Sequence, residues 1–162
     1  MGVKPYRPTG IFVNFNSNKV ESSTGEDYYS GTLVRRVSLV CTTLSNITFP
    51  NSVWATAYVE WVGLESGGGD EGPQQQSIGF EIWRDFNTAD QQLVCSTTDT
   101  NVLLRNGEAA RATTTLTCVD KMVPFGSHTY CIVAVIPTTG VLAVSYGMRA
   151  FNREITATEI KV

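Results

Sequence analysis

Only one histidine, His128, occurs in the 162 residues, and none of the four cysteines lies within a C-x-x-C pair. The single imidazole removes the commonest nitrogen ligand of transition metals, and the missing motif removes zinc-ribbon and thioredoxin-like chemistry. Charge is scarce as well. Asp, Glu, Lys and Arg make up 17% of the chain, the net charge is -3, and Arg35-Arg36 is the only adjacent pair of cations. A nucleic-acid surface needs clustered positive charge to answer phosphates, so that class is excluded. No apolar run approaches the length of a membrane span. The opening MGVKPYRPTG lacks the basic-then-apolar profile of a secretory leader, and Tyr6 stands where a myristoylation signal needs Ser or Thr. Export without the general route, or a leader missing from the chain, is the expectation.

Helical spacing of apolar residues is almost absent, and what replaces it is alternation. In SVWATAYVEWV, Val53, Ala55, Ala57, Val59 and Trp61 share one face of a pleated strand, with Trp54, Thr56, Tyr58 and Glu60 opposite. Comparable stretches occur at 11–15, 32–44, 77–85, 91–97, 112–120, 128–136, 140–150 and 154–162, separated by Gly-, Pro-, Asn- and Ser-rich turns. Only 103–112 has room for a helical turn. One domain of antiparallel strands, closed as a sandwich or barrel, is the architecture this spacing predicts.

The N-terminal stretch stands apart. Residues 1–27 read as an arm carrying a candidate strand, with Ile11, Phe12, Val13 and Phe15 as its apolar members and 16–27 as a polar tether; residues 28–162 form the domain. A short strand on a tether pairs either with the edge of its own sheet or with that of a neighbouring copy, where Ile11, Val13 and Phe15 would fill an acceptor groove.

Candidate chemistry is thin. GSHTYC places His128 three residues before Cys131, and in a strand these two side chains point to opposite faces, so they form no nucleophile-base dyad. The Gly-rich stretch 63–76 is not followed by Gly-Lys-Ser/Thr and reads as a connection; Asp70 and Glu71 within it are the one weak cation candidate. Glu60, Glu81 and Asp85 are the carboxylates a glycosidase would need to bring together, with Glu81 and Asp85 read as water-facing. Trp54, Trp61, Trp83, Tyr28 and Tyr29 are the aromatics available for a sugar platform, a core or a subunit contact. Asn46 opens an N-I-T sequon. No cofactor, no metal and no catalytic residue is expected. Cys41, Cys95, Cys118 and Cys131 are candidate disulfide cysteines, within one chain or between chains, or else buried thiols.

The second half reads TTTLTCVDKMVPFGSHTYCIVAVI and then GVLAVSYGMRAFNREITATEI. In the order of its strand, Asp, Pro-Gly turn, Tyr-led strand and final T-A strand it resembles the tumour-necrosis-factor-like jelly rolls of bacterial surfaces, including spore exosporium and spore appendage proteins. The residues that carry the resemblance are Asp120, Pro124, Gly126, Tyr130, Ile155, Thr156 and Ala157. It implies an all-β antiparallel β-sandwich, a jelly roll of about eight to ten strands with an N-terminal extension. It also implies a non-enzymatic, self-associating structural subunit of an extracellular or spore-surface assembly, released by lysis and therefore able to oxidise its cysteines. The alternative is a carbohydrate- or receptor-binding adhesin or phage head domain.

Overall fold

A computed structural model describes residues 12–31, 33–66, 74–103, 110–138 and 145–161. Nine strands and no helix are found among them: β1 (Phe12–Val20), β2 (Glu26–Tyr29), β3 (Arg35–Ile47), β4 (Ser52–Ser66), β5 (Gln74–Arg84), β6 (Gln92–Leu103), β7 (Ala112–Asp120), β8 (Gly126–Ile136) and β9 (Ser145–Ile160). They form two antiparallel sheets, in the orders β1-β9-β4-β7 and β3-β8-β5-β6, with β2 also pairing β9. Taking β1 and β2 as one interrupted strand, this is the two-sheet, eight-strand order of a jelly roll.

The alternation seen in the sequence becomes the core. Val53, Ala55, Ala57, Val59 and Trp61 are all buried on β4, and Tyr130, Ile132, Ala134 and Ile136 face them from β8. Trp61 meets Phe80 of the opposite sheet at 5.5 Å between ring centres. Packing large side chains between two twisted sheets is what excludes water here.

Two features of the register differ from the sequence expectation. The stretch 16–20, expected within a tether, continues β1, which pairs β9 from Phe12↔Ile160 to Val20↔Arg153; Glu26–Tyr29 then rejoin the same edge opposite Ala150 to Gly147. The arm therefore lies on the edge of its own sheet. Gly147 is needed for that approach, because a Cβ there would stand 2.5 Å from the Tyr29 ring and 2.7 Å from the Tyr28 carbonyl. Secondly, the strands expected at 140–150 and 154–162 are one strand, β9, which crosses a bulge opposite Val59 and Trp61. Arg153, which falls between those two expected strands, is buried; its guanidinium donates to the carbonyls of Ala150 and Phe151 at the bulge and to Leu39 of β3.

Side-chain ties close both flanks of the sandwich. On one, Asn14, Asn16 and Asn18 of β1 donate their amides to the carbonyls of Ser45, Thr43 and Cys41 of β3 at 2.7, 2.8 and 2.8 Å. On the other, the Cys95–Cys118 disulfide joins β6 to β7, and four residues along each strand Thr114 donates to Asp99 at 2.6 Å. Cys41–Cys131 links directly opposed residues of β3 and β8, so all four cysteines are paired within the chain. Closing loops with sequence separations of 90 and 23 removes unfolded-state freedom worth about 3 to 5 kcal/mol per bridge in the chain-entropy account.

Candidate functional site

His128 opens β8 at one end of the sandwich and does not approach Cys131, which is buried in its disulfide. Its Nδ1 lies 2.6 Å from Asp85 Oδ2 and its Nε2 3.1 Å from the Pro124 carbonyl. Both partners are acceptors, so the two bonds coexist only when each ring nitrogen carries a proton. Asp85, with a φ of 54° at the exit of β5, also accepts from the Thr129 amide at 2.9 Å. The carboxylate thus clasps the β5–β6 turn to the start of β8. Glu81, likewise read as water-facing, is buried, accepting from Arg36 at 3.0 Å and Trp83 at 2.7 Å. Both carboxylates serve strand-to-strand ties because each has donors from a neighbouring strand or side chain within reach.

A cleft of about 620 Å3 lies beside this clasp, lined by Arg84, Asp85, Thr88, Asp90, Pro124, Ser127 and His128. Ser127, His128 and Asp85 therefore line one cleft, and the Nε2 that a serine nucleophile would need as its base lies 3.1 Å from the Pro124 carbonyl. Arg84 is committed to Asp120, which also accepts from the buried Tyr130 hydroxyl at 2.9 Å. Burial, then the Asp120 charge, pushes the Tyr130 phenol far above its ordinary range. The Asp120 and Tyr130 of the jelly-roll resemblance thus form a buried tie between β7 and β8.

The arm presents the other candidate surface. Phe12, Val13 and Phe15 are 64%, 51% and 62% exposed, so they fill no groove in their own subunit; Ile11 lies outside the described residues. Phe15 faces Thr158, Thr158 faces Trp54 and Trp54 faces Val119, which makes one row across the outer face of the sheet. Trp54 is 42% and Val119 50% exposed. The next row along the strands is Ser17, Thr156, Thr56 and Thr117, all hydroxyls. Trp61 is core, Trp83 and Tyr28 are half-buried, and Tyr29 packs over Gly147. Glu60 pairs with Arg111 at 2.9 Å, and Asn46 is exposed on β3. Asp70 and Glu71 lie outside the described residues, among which no cluster of metal-binding side chains is found. The exposed residues were visible in the alternation, but the Asn ladder was not, because it is a polar pattern.

No family model matches the chain, and no curated protein matches it. Among solved structures, a chain from "Structure of infectious bursal disease virus Gt strain" aligns at 10% identity with a TM-score of 0.30, covering 99% of this chain and 46% of that one. The chain spans less than half the length of that protein, and a likeness this low carries no functional argument. What the coordinates define by themselves is a disulfide-tied β-sandwich. Its bridges fit an oxidising compartment, and among the described residues no helix is long and apolar enough to cross a membrane.

Charge fastens the short β2. Glu26 is held below its ordinary value of 4.5 by the Tyr28 hydroxyl and then by Arg153, and Asp27 below 3.8 by Arg149. Tyr28 is pushed up to about 12, mainly by burial. Because both carboxyl values are depressed on folding, their contribution is complete above the unfolded values and is lost as pH falls through the folded ones. Amide exchange corrected for intrinsic rate is therefore expected to show β2 well protected at about pH 6 and losing protection before β4 and β8 as the solution approaches about pH 2.5. Equal protection of β2 at both pH values contradicts this.

Proposed function

We propose that the chain is a non-catalytic structural subunit of an extracellular or surface assembly, joined copy to copy through its N-terminal arm. The observation that carries this reading is the exposure of Phe12, Val13 and Phe15 on an edge strand. The β9 ladder and the Asn amides on β3, which hold β1, run to groups that a second copy would offer identically. An arm passed to a neighbour keeps those bonds and gains a partner for its apolar side chains. The use of Asp85 and His128 in the clasp between the β5–β6 turn and β8 supports a structural role for them, and two disulfides support an extracellular setting, here proposed as a cell or spore surface.

Electron microscopy and light scattering of the full chain test the reading. Filaments, rings or other oligomers are expected, and deletion of residues 1–20 is expected to leave a folded domain that does not assemble. The variant F12S/V13S/F15S keeps the Asn ladder and separates lost assembly from lost folding. Assembly that persists in the triple variant, or a full chain that stays monomeric at all concentrations, overturns the proposal.

A second reading, binding of a neutral glycan, is favoured by Trp54 standing half-exposed beside the hydroxyl row of Thr56, Thr156 and Thr117, because sugars stack on aromatic faces and exchange hydrogen bonds with hydroxyls. Saturable binding on a glycan array that disappears in Trp54→Ala supports it, and a flat array removes it.

A further inference from the structure

Two loops at one end of the sandwich, 48–51 between β3 and β4 and 121–125 between β7 and β8, present large apolar side chains to solvent. Phe49 is 55% exposed, Met122 65% and Phe125 75%. Loose loops would fold such groups inward, but these are pinned. The Val123 amide donates to the Asn51 carbonyl at 3.0 Å, and Asn51 closes its own loop onto Thr48. Buried Glu159 accepts from the Thr48 amide at 2.9 Å and from the Asn51 amide side chain at 2.6 Å. Val123 is fully buried and anchors its loop by the middle, while Met122, at a φ of 54°, and Phe125 stand out on either side.

The exposed charge directly beside these tips is positive. Lys121 and Lys161 are exposed, and neither T-F-P-N nor K-M-V-P-F contains an acid. The carboxylates nearest these loops are turned inward, Glu159 onto loop 48–51 and Asp120 onto Arg84 and Tyr130. Asp85 is taken by His128, which leaves Asp90, on the β5–β6 turn across the cleft, as the exposed acid lining it. Apolar tips beside lysines complement a surface that is oily beneath an anionic rim.

We infer that this end docks on an anionic lipid surface, with Phe49, Met122 and Phe125 entering the headgroup boundary and Lys121 and Lys161 meeting its negative charge. Apolar area and electrostatic attraction are the two terms that bind a protein to such an interface. The inference does not rest on the arm's passing to a second copy, and F12S/V13S/F15S is expected to keep vesicle binding, although Phe12 pairs with Ile160 beside Lys161.

Co-sedimentation of the full, oxidised chain with phosphatidylcholine vesicles, with and without about 30% phosphatidylserine, tests it. Binding is expected with the anionic vesicles, weakening as salt rises to about 0.5 M. M122S/F125S is expected to bind at least about tenfold more weakly, and K121E/K161E to lose the preference for phosphatidylserine. The replaced side chains are exposed, and circular dichroism with thiol counting confirms that fold and bridges survive. No binding to either vesicle, or binding that M122S/F125S leaves unchanged, overturns the inference. So does self-association without vesicle binding that M122S/F125S abolishes, which assigns the same tip to a contact between copies.

Discussion

Along the flank where β1 meets β3, the carbonyls of Leu39, Cys41, Thr43 and Ser45 are answered in turn by Arg153, Asn18, Asn16 and Asn14. An edge strand with unanswered carbonyls is a template for any passing chain. Here side chains of the opposite sheet occupy that row, so the ties that protect the β3 edge also hold the two sheets together. Across the molecule the Cys95–Cys118 bridge and the Thr114–Asp99 bond do the same for β6 and β7. Between these flanks the apolar rows pack sheet against sheet, with no helix among the described residues.

That closure also directs where function is found. Ties such as Asp85–His128, Asp120–Arg84–Tyr130 and Glu81–Arg36 consume the side chains that would otherwise look reactive. Each hydrogen bond is worth about 1 kcal/mol net, but leaving such a group buried and unpaired costs more, so their value lies in holding one geometry. Among the described residues, the exposed large apolar side chains include those of the arm, of the row through Trp54 and of the tips at 49, 122 and 125. Exposed apolar patches of this kind are what the proposed contact between copies would bury.

Strand existence and core faces were legible because β4 and β7 alternate buried and exposed residues while β8 carries a short continuous apolar run, and tertiary packing rewards both patterns directly. The opposed directions of His128 and Cys131 followed from the same rule. The arm was half-legible. Its apolar start announced a strand, but N-S-N-K-V carries the strand signal in amides that serve a neighbouring edge, and a hydrophobic criterion passes over it. Arg153 illustrates a second blind spot, since a charged residue after Phe-Asn looks like a turn until the bulge carbonyls and Leu39 that it satisfies are assembled in space. Cysteine pairing was open for a similar reason: which sulfurs meet depends on register and sheet order, and neither is written locally.

The claim beneath all of this is that each chain closes the β6–β7 flank of its own sandwich, the β1 flank being closed by an arm whose bonds a second copy would offer equally. Peptide mapping of the unreduced protein by mass spectrometry tests it most directly. The account predicts Cys41 linked to Cys131 and Cys95 linked to Cys118 within single chains, with no free thiol. A Cys95 or Cys118 found free, exchanged with the other pair, or bridged to a second chain contradicts it.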